Sequence, residues 1–227
     1  MNLYRLYMIP YMKFRNRHPK WFNEASQYRY AQRMINLMKR TGRIHTRAYG
    51  VENLPSEGGY IMYPNHQGKY DALGIMYAHD KPCCMVMDAK RSRMPLVTEF
   101  LDLVGGKRMN LNDARQSIVL FREMAEEIKS QARKFIIFPE GGYDNNENTV
   151  FDFKPGAFKA AMMAKVPIVP VALVDSYKVF QGFSLRKVTT QVHFLKPLYY
   201  DDYKEMSTKE IAAEVRSQIE KKIAEAA

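Results

Sequence analysis

The feature that most restricts the fold is a succession of short apolar segments separated by stretches with helical periodicity. Most of these segments are apolar on both faces, as expected of strands that are covered by helices. Strands are predicted near residue 48 and at 60–64, 84–87, 134–139, 167–173 and 190–195. Helices are predicted at 113–130, at 157–164 and after a capping box formed by Ser207 and Glu210. This alternation predicts an α/β fold with a mixed, largely parallel sheet flanked by helices.

Positive charge is concentrated at the N-terminus. The chain carries a formal net charge of +11, from 35 Lys and Arg residues against 24 Asp and Glu. Residues 1–47 hold eleven of the basic residues and a single acid, Glu24, so the rest of the chain is nearly neutral. A basic segment of this kind favours an anionic partner, either a nucleic acid or a membrane surface.

Apolar residues in the same segment favour the membrane. A stripe of apolar side chains recurs at helical spacing beside a basic face, and its members are Trp21, Ala25, Tyr28, Ala31, Ile35 and Met38. A basic amphipathic helix with aromatic residues suits the headgroup layer of a bilayer. We therefore predict a membrane-associating arm at residues 1–44 and a second domain at 45–227. The alternative is that the stripe packs on the protein's own core.

The same features predict a location on the cytoplasmic face of the cell membrane, peripheral or monotopic. Cys83 and Cys84 are adjacent and cannot join distant parts of the chain, which favours a reducing compartment. The apolar stretch at 160–174 is too short to span a bilayer and contains prolines. No zinc-finger spacing, RNA-recognition motif or long basic helix occurs, so nucleic acid is not an expected partner.

The stretch YPNHQGKYDALG, residues 63–74, places a histidine and an aspartate after a predicted strand. Histidine exchanges protons near neutral pH, and a neighbouring carboxylate fixes its tautomer. On a regular helix His66 and Asp71 would lie about 140° apart, so pairing them requires the turn that Gly68 permits. No Ser, Cys or Thr lies between them, so a catalytic pair here needs a nucleophile from the substrate. The alternative is an ordinary pair without a catalytic role.

A second polar block, FIIFPEGGYD, ends the strand predicted at 134–139. The consecutive glycines Gly141 and Gly142 allow backbone N–H groups to converge on an anion, and α/β folds bind ligands where strands end. We expect Glu140 either to receive a substrate hydroxyl or to hold a basic side chain. The alternative is a tight turn that merely needs glycine.

Four blocks in this order resemble the glycerolipid acyltransferase family that includes 1-acylglycerol-3-phosphate acyltransferases. The blocks are Asn65, His66 and Asp71, then Phe138 to Gly141, then Phe153 to Ala157, then Val166 to Val171. The resemblance implies an O-acyltransferase in which the acceptor hydroxyl is the nucleophile, His66 is its general base and Asp71 orients the imidazole. It also implies a thioester of acyl carrier protein or coenzyme A as donor, and no metal or other cofactor.

Two departures from the family pattern concern the acceptor. Gly142 and Tyr143 stand where the family has threonine and a phosphate-associated arginine, and in the middle block Lys107 and Arg108 come early. The candidate substrate-binding residues are Asn65, Lys107, Arg108, Glu140, Gly141 and Gly142, with Arg91, Arg93 and Lys154 as substitute phosphate ligands. The resemblance implies 1-acylglycerol 3-phosphate as the lysophospholipid acceptor and phosphatidate as product. Alternatives are another glycerolipid or lysolipid acceptor, including glycerol 3-phosphate, and a non-catalytic membrane-bound scaffold.

Overall fold

The computed structural model describes residues 4–111, 113–181 and 186–226. In this part of the chain seven strands form one sheet, in the order β1-β7-β6-β2-β5-β3-β4. They are β1 (Ile44–Tyr49), β2 (Tyr60–Pro64), β3 (Cys84–Asp88), β4 (Lys107–Met109), β5 (Lys134–Ile136), β6 (Ile168–Val174) and β7 (Val188–Phe194). Neighbouring strands are parallel except β6 and β7, which are antiparallel. The predicted mixed, largely parallel sheet is confirmed.

Eight helices in the described residues cover the sheet. They are α1 (Tyr4–Arg17), α2 (Glu24–Thr41), α3 (Asp71–Ala78), α4 (Val97–Leu103), α5 (Ala114–Gln131), α6 (Lys159–Ala164), α7 (Tyr200–Tyr203) and α8 (Thr208–Ala226). Short 3-10 turns lie at Val51–Asn53, Arg91–Arg93, Pro155–Phe158 and Ser176–Phe180. The three helices expected from periodicity correspond to α5, to the turn at Pro155–Phe158 followed by α6, and to α8.

The last helix shows how the sequence determines an element. The Ser207 N–H donates to Glu210 Oε2 at 2.7 Å, and the Glu210 N–H donates to Ser207 Oγ at 3.3 Å. This reciprocal cap satisfies two backbone donors at the start of α8. The side chains that follow at helical spacing are all buried, and they are Ile211, Val215, Ile219 and Ile223. Cap and apolar stripe together anchor α8 on β6.

The N-terminal helices pack on the same core as the rest of the chain. Tyr28, Ala31 and Ile35 of α2 are buried, and the Tyr28 hydroxyl donates to the Met76 carbonyl of α3 at 2.9 Å. The centre of the predicted apolar stripe therefore packs on the protein's own core, which was the alternative to membrane contact. Trp21, at the start of the stripe, is 68% exposed. The exposed aromatic side chains of this segment are Tyr7, Tyr11, Phe14 and Trp21.

No helix in the described part of the chain has the length and hydropathy that crossing a membrane requires. Membrane contact by the exposed aromatic residues stays a prediction.

Candidate active site

The His66–Asp71 pair forms where β2 ends. The chain turns through residues 65–70, and α3 begins only at Asp71, so the two residues do not share a helix. His66 Nδ1 lies 2.7 Å from Asp71 Oδ2. The backbone N–H groups of Gln67 and Gly68 donate to the same oxygen at 2.6 and 2.9 Å. The turn expected at Gly68 is therefore present, and it fixes the carboxylate under the imidazole.

The pairing decides which nitrogen of His66 is available for chemistry. An ionised carboxylate only accepts hydrogen bonds, so Nδ1 carries the hydrogen and Nε2 is the ring nitrogen left to take a proton. The ring stacks on Phe138 with centroids 4.1 Å apart and meets Tyr143 edge-on at 4.6 Å. These contacts hold the ring on two sides, and its side chain remains 16% exposed. The arrangement is that of a positioned general base.

The Asn65 side chain forms hydrogen bonds with the backbone of β6 and does not line the cavity beside His66. Its Nδ2 donates to the Leu173 carbonyl at 3.1 Å, and its Oδ1 accepts the Leu173 N–H at 2.7 Å. The residue is fully buried. Its amide thus ties the turn before His66 to β6.

Glu140 is buried beneath the same turn. Its Oε1 accepts the His66 N–H at 2.7 Å, and its Oε2 accepts the Phe151 N–H at 3.2 Å. Burial raises the pKa of Glu140 to about 7, although these two hydrogen bonds act to lower it. Both oxygens therefore hold backbone groups, whereas we expected a substrate hydroxyl or a basic side chain. Glu140 lies four residues after β5 ends, and its carboxylate joins the turn at His66 to the backbone at Phe151.

A cavity of about 640 Å³ opens beside His66. Its walls come from α1, α2, α3, α4 and the sheet, and they are mostly apolar. Among the described residues six methionines line it, and they are Met8, Met34, Met38, Met85, Met87 and Met109. Flexible, unbranched methionines form an adaptable apolar surface. The cavity therefore suits a long apolar ligand whose end reaches the imidazole.

The two glycines of the second block both line this cavity, for different reasons. Gly141 has φ of +74°, and an added Cβ would lie 2.5 Å from Lys154 Nζ, so the local backbone requires glycine. Gly142 has neither constraint, since an added Cβ there would meet no atom within 4 Å. The missing side chain at Gly142 leaves open space in the wall of the cavity.

Lys107 and Arg108 lie on β4 and are not among the residues that line the cavity. The Lys107 ammonium pairs with Glu127 of α5, and Arg108 Nη2 lies 2.7 Å from Asp102 Oδ1 of α4. Both basic groups are thus engaged with carboxylates at the edge of the sheet. Their position in the middle block therefore does not place their charges at the cavity that His66 lines.

Arg91 and Lys69 are the basic side chains that line the cavity in the described residues, together with the acid Asp88. The guanidinium carbon of Arg91 lies 5.7 Å from the centroid of the Tyr143 ring. Burial raises the pKa of Tyr143, against the lowering effect of the Arg91 charge. The Tyr143 ring thus lies close to both the Arg91 guanidinium and the His66 ring. Of the three substitutes proposed from sequence, only Arg91 lines the cavity.

Sequence reasoning missed two residues of this site, Gln67 and Ser176. The Ser176 hydroxyl donates to Asp71 Oδ1, and the Ser176 N–H donates to Gln67 Oε1 at 2.9 Å. Ser176 lies 105 residues from Asp71 in the sequence, and the only signal for it is its position three residues after the strand predicted at 167–173.

Comparison with known proteins identifies the family. Residues 45–174 match the Acyltransferase family, which covers more than half of the chain and includes His66, Asp71 and Glu140. The chain belongs to the acyltransferase family.

Several curated proteins are similar to this acyltransferase-family chain. A putative 1-acyl-sn-glycerol-3-phosphate acyltransferase of Caenorhabditis elegans is 31% identical over 69% of this chain and 55% of its own length. The 1-acyl-sn-glycerol-3-phosphate acyltransferase of Saccharomyces cerevisiae is 27% identical over 86% of this chain and 65% of its own length. That of Escherichia coli is 28% identical over 75% of this chain and 69% of its own. The chain thus spans between about half and two thirds of these relatives.

A solved structure shares the fold of this family member. It is the 1-acyl-sn-glycerophosphate (LPA) acyltransferase PlsC from Thermotoga maritima, which superimposes with a TM-score of 0.75. The match covers 99% of this chain and 91% of the other at 18% sequence identity. At that identity the likeness establishes the fold.

Proposed function

We propose that the protein transfers an acyl chain from a thioester donor to the hydroxyl of 1-acylglycerol 3-phosphate, giving phosphatidate. The observation that carries this proposal is the His66–Asp71 pair beside an apolar cavity, with Nε2 free to take a proton. Family membership supports acyl transfer, and the similarity to 1-acyl-sn-glycerol-3-phosphate acyltransferases supports this acceptor. The test is transfer to this acceptor by the wild type against variants at His66 and Asp71.

In the proposed reaction, His66 acts first as a base and then as an acid. The acceptor O–H gives its proton to His66 Nε2 as its oxygen attacks the thioester carbonyl carbon. Asp71 stabilises the imidazolium that forms. The tetrahedral intermediate collapses with cleavage of the C–S bond, and Nε2 returns its proton to the leaving thiolate. The products are an ester and a free thiol, and no group beyond the two substrates is consumed.

The apolar cavity would hold the acyl chain of the thioester. Its apolar lining would keep water from the thioester carbonyl, and His66 is one of the lining residues. Either acyl carrier protein or coenzyme A serves the same chemistry, because both present the acyl group as a thioester. Offering the two donors in parallel, each at several concentrations, measures which has the higher kcat/KM.

For the acceptor phosphate we propose Arg91 as the ligand. Its guanidinium lies at the cavity, and no carboxylate of the described residues lies within ion-pair distance of it. A guanidinium offers a two-pronged contact to phosphate. Arg108 is less suited, because its guanidinium already pairs with Asp102. Tyr143, in place of the family's arginine, packs beneath the Arg91 charge.

Arg91→Ala is expected to raise the KM for 1-acylglycerol 3-phosphate about 10- to 100-fold, the value of one charge-assisted hydrogen bond. The KM for the donor should change less than about twofold, because in this proposal Arg91 binds the acceptor phosphate and not the donor. Arg108→Ala is the matched control and should leave the acceptor KM near the wild-type value. Steady-state kinetics with each substrate varied in turn provide the measurement. A larger effect at Arg108 than at Arg91 would assign the phosphate to β4 instead.

We propose further that the exposed aromatic and basic residues of α1, α2 and the turn between them bind an anionic membrane surface. Tyr7 and Trp21 are 67% and 68% exposed, and the segment carries most of the net charge. Aromatic side chains at the headgroup level and basic groups near an anionic leaflet both favour binding. A lipid acceptor and a lipid product would then be taken from and returned to that surface.

Trp21 makes this proposal directly measurable, since it is the single tryptophan of the chain. Its fluorescence emission is expected to shift to shorter wavelength when vesicles containing anionic phospholipid are added, because the indole leaves water. Neutral vesicles serve as the control and should give a smaller shift, and raising the salt should weaken the response. An emission spectrum unchanged by anionic vesicles would exclude Trp21 from the membrane contact.

A further inference from the structure

The carboxylate of Asp71 is fully buried, and its two oxygens have unequal sets of donors. Oδ2 accepts three hydrogen bonds, from His66 Nδ1 and from the N–H groups of Gln67 and Gly68. Oδ1 accepts one, from the Ser176 hydroxyl, which is its single donor among the described residues. Polar atoms in the protein interior are stabilised by hydrogen bonds, and among the described residues only Ser176 supplies one to Oδ1.

Ser176 is placed by the turn that ends β6. Asp175 has φ of +62°, a left-handed conformation that redirects the chain into the 3-10 turn beginning at Ser176. The Ser176 N–H donates to Gln67 Oε1 at 2.9 Å. Gln67 Nε2 donates in turn to the Leu173 carbonyl at 2.9 Å and to Asn148 Oδ1 at 2.8 Å. The hydroxyl is therefore held by residues from three separate parts of the chain.

The Ser176 hydroxyl has a choice of two acceptors. Its Oγ lies within hydrogen-bond distance of Asp71 Oδ1 and 3.0 Å from Gln67 Oε1, and it carries one proton. A charged carboxylate is a stronger acceptor than an amide oxygen. The proton is accordingly directed to Asp71, where it withdraws charge from the carboxylate.

We infer that Ser176 is a positioning residue for the general base and acts through Asp71. Its hydroxyl fixes the rotation of the carboxylate and shares the negative charge that would otherwise concentrate on Oδ2, the oxygen facing His66. Asp71 then orients the imidazole and stabilises the imidazolium, but not so strongly that Nε2 stays protonated at neutral pH. Only the kinetic consequence of this inference rests on the proposed acyl transfer, since the hydrogen-bond network exists without turnover.

Ser176→Ala is expected to move the acid limb of the pH profile of kcat/KM about half to one pH unit upward. The reason is that the carboxylate, deprived of its Oδ1 donor, stabilises the imidazolium more strongly, so a higher pH is needed for the free base. The KM values for both substrates should stay within about twofold. Ser176→Thr, which keeps the hydroxyl, should restore the wild-type profile. Thr190→Val removes another fully buried hydroxyl, bonded to Thr46, and should leave the profile unchanged.

A second readout separates this inference from the proposed function. The proton on His66 Nδ1 should give a low-field NMR resonance that is absent in His66→Ala, and it should shift in Ser176→Ala but not in Thr190→Val. Such a shift in a protein that transfers no acyl group would support the positioning role and reject the proposed function. If Ser176→Ala lost activity while the resonance and the acid limb both stayed at their wild-type positions, the positioning role would be overturned. Ser176 would then be a packing residue.

Discussion

Replacing His66 with alanine is expected to lower kcat for acyl transfer about 1,000-fold, the usual scale for loss of a general base. The reason is that Nε2 is the ring nitrogen left free by Asp71 and is the proton acceptor in the proposed reaction. The side chain packs on Phe138 and Tyr143 at the wall of a cavity. Its truncation should therefore change thermal stability little, and release of free thiol from the donor gives the rate.

A histidine outside the site provides the matched control. His45 lies exposed on β1, and His45→Ala should keep wild-type activity. Activity of His66→Ala above about a tenth of the wild-type rate would contradict the role of His66 as general base.

Replacing Asp71 with asparagine is expected to lower kcat about 100-fold while the fold is kept. With its amide oxygen at the Oδ2 position, asparagine can accept from His66 Nδ1 and from the N–H groups of Gln67 and Gly68. Its NH₂ group then faces the Ser176 hydroxyl, which can accept and pass its own proton to Gln67 Oε1. Geometry and tautomer are thereby preserved, and only the negative charge that stabilises the imidazolium is lost.

Two measurements separate charge from structure at Asp71. The melting temperature of Asp71→Asn should stay close to that of the wild type, and its acid limb should move to lower pH because the imidazolium has lost its carboxylate. Asp71→Ala leaves the three donors to Oδ2 without an acceptor, while Ser176 can still donate to Gln67 Oε1, and it should lower the melting temperature by several degrees. Wild-type activity in Asp71→Asn would contradict the proposed electrostatic role.

Most of the sheet could be predicted because its strands are apolar on both faces. β2 has the bounds expected from the sequence, and β3, β6 and β7 differ by one or two residues. The strand expected at 134–139 ends already at Ile136. The expected segment includes Pro139, which has no N–H to donate to a neighbouring strand. β4 could not be predicted, because Lys107–Met109 is three residues long and has no apolar run.

The contact between His66 and Asp71 could be predicted because the two residues are close in sequence, whereas the contact of Ser176 with Asp71 could not. Asp71 and His66 lie five residues apart, whereas Ser176 reaches Asp71 only through the pairing of β6 with β2. The dependence on tertiary structure also applies to Arg108. Its position in the middle block suggested a phosphate ligand, but its guanidinium pairs with Asp102 instead. Its partner Asp102 was visible in the sequence, but the direction of a side chain on an edge strand was not.

The N-terminal segment shows that charge and periodicity do not say what covers an apolar stripe. Tyr28 and Ile35 could face either lipid or protein, and their burial against α3 and the cavity follows from tertiary packing. The consequence is functional, since Met8, Met34 and Met38 of this segment form part of the cavity wall. The predicted arm therefore contributes to the proposed acyl-binding site as well as to the proposed membrane contact.

The most direct test of the central proposal is acyl transfer by the purified protein on anionic vesicles. The acceptors 1-acylglycerol 3-phosphate, glycerol 3-phosphate and a neutral lysophospholipid would each be offered with acyl-coenzyme A and with acyl carrier protein thioester. We expect phosphatidate to form from 1-acylglycerol 3-phosphate with at least one donor, and to be lost in His66→Ala. Transfer only to another acceptor would keep the mechanism and reject the substrate. If no combination of donor and acceptor gave His66-dependent transfer, the proposed catalysis would be contradicted. The remaining hypothesis would be the non-catalytic membrane-bound scaffold.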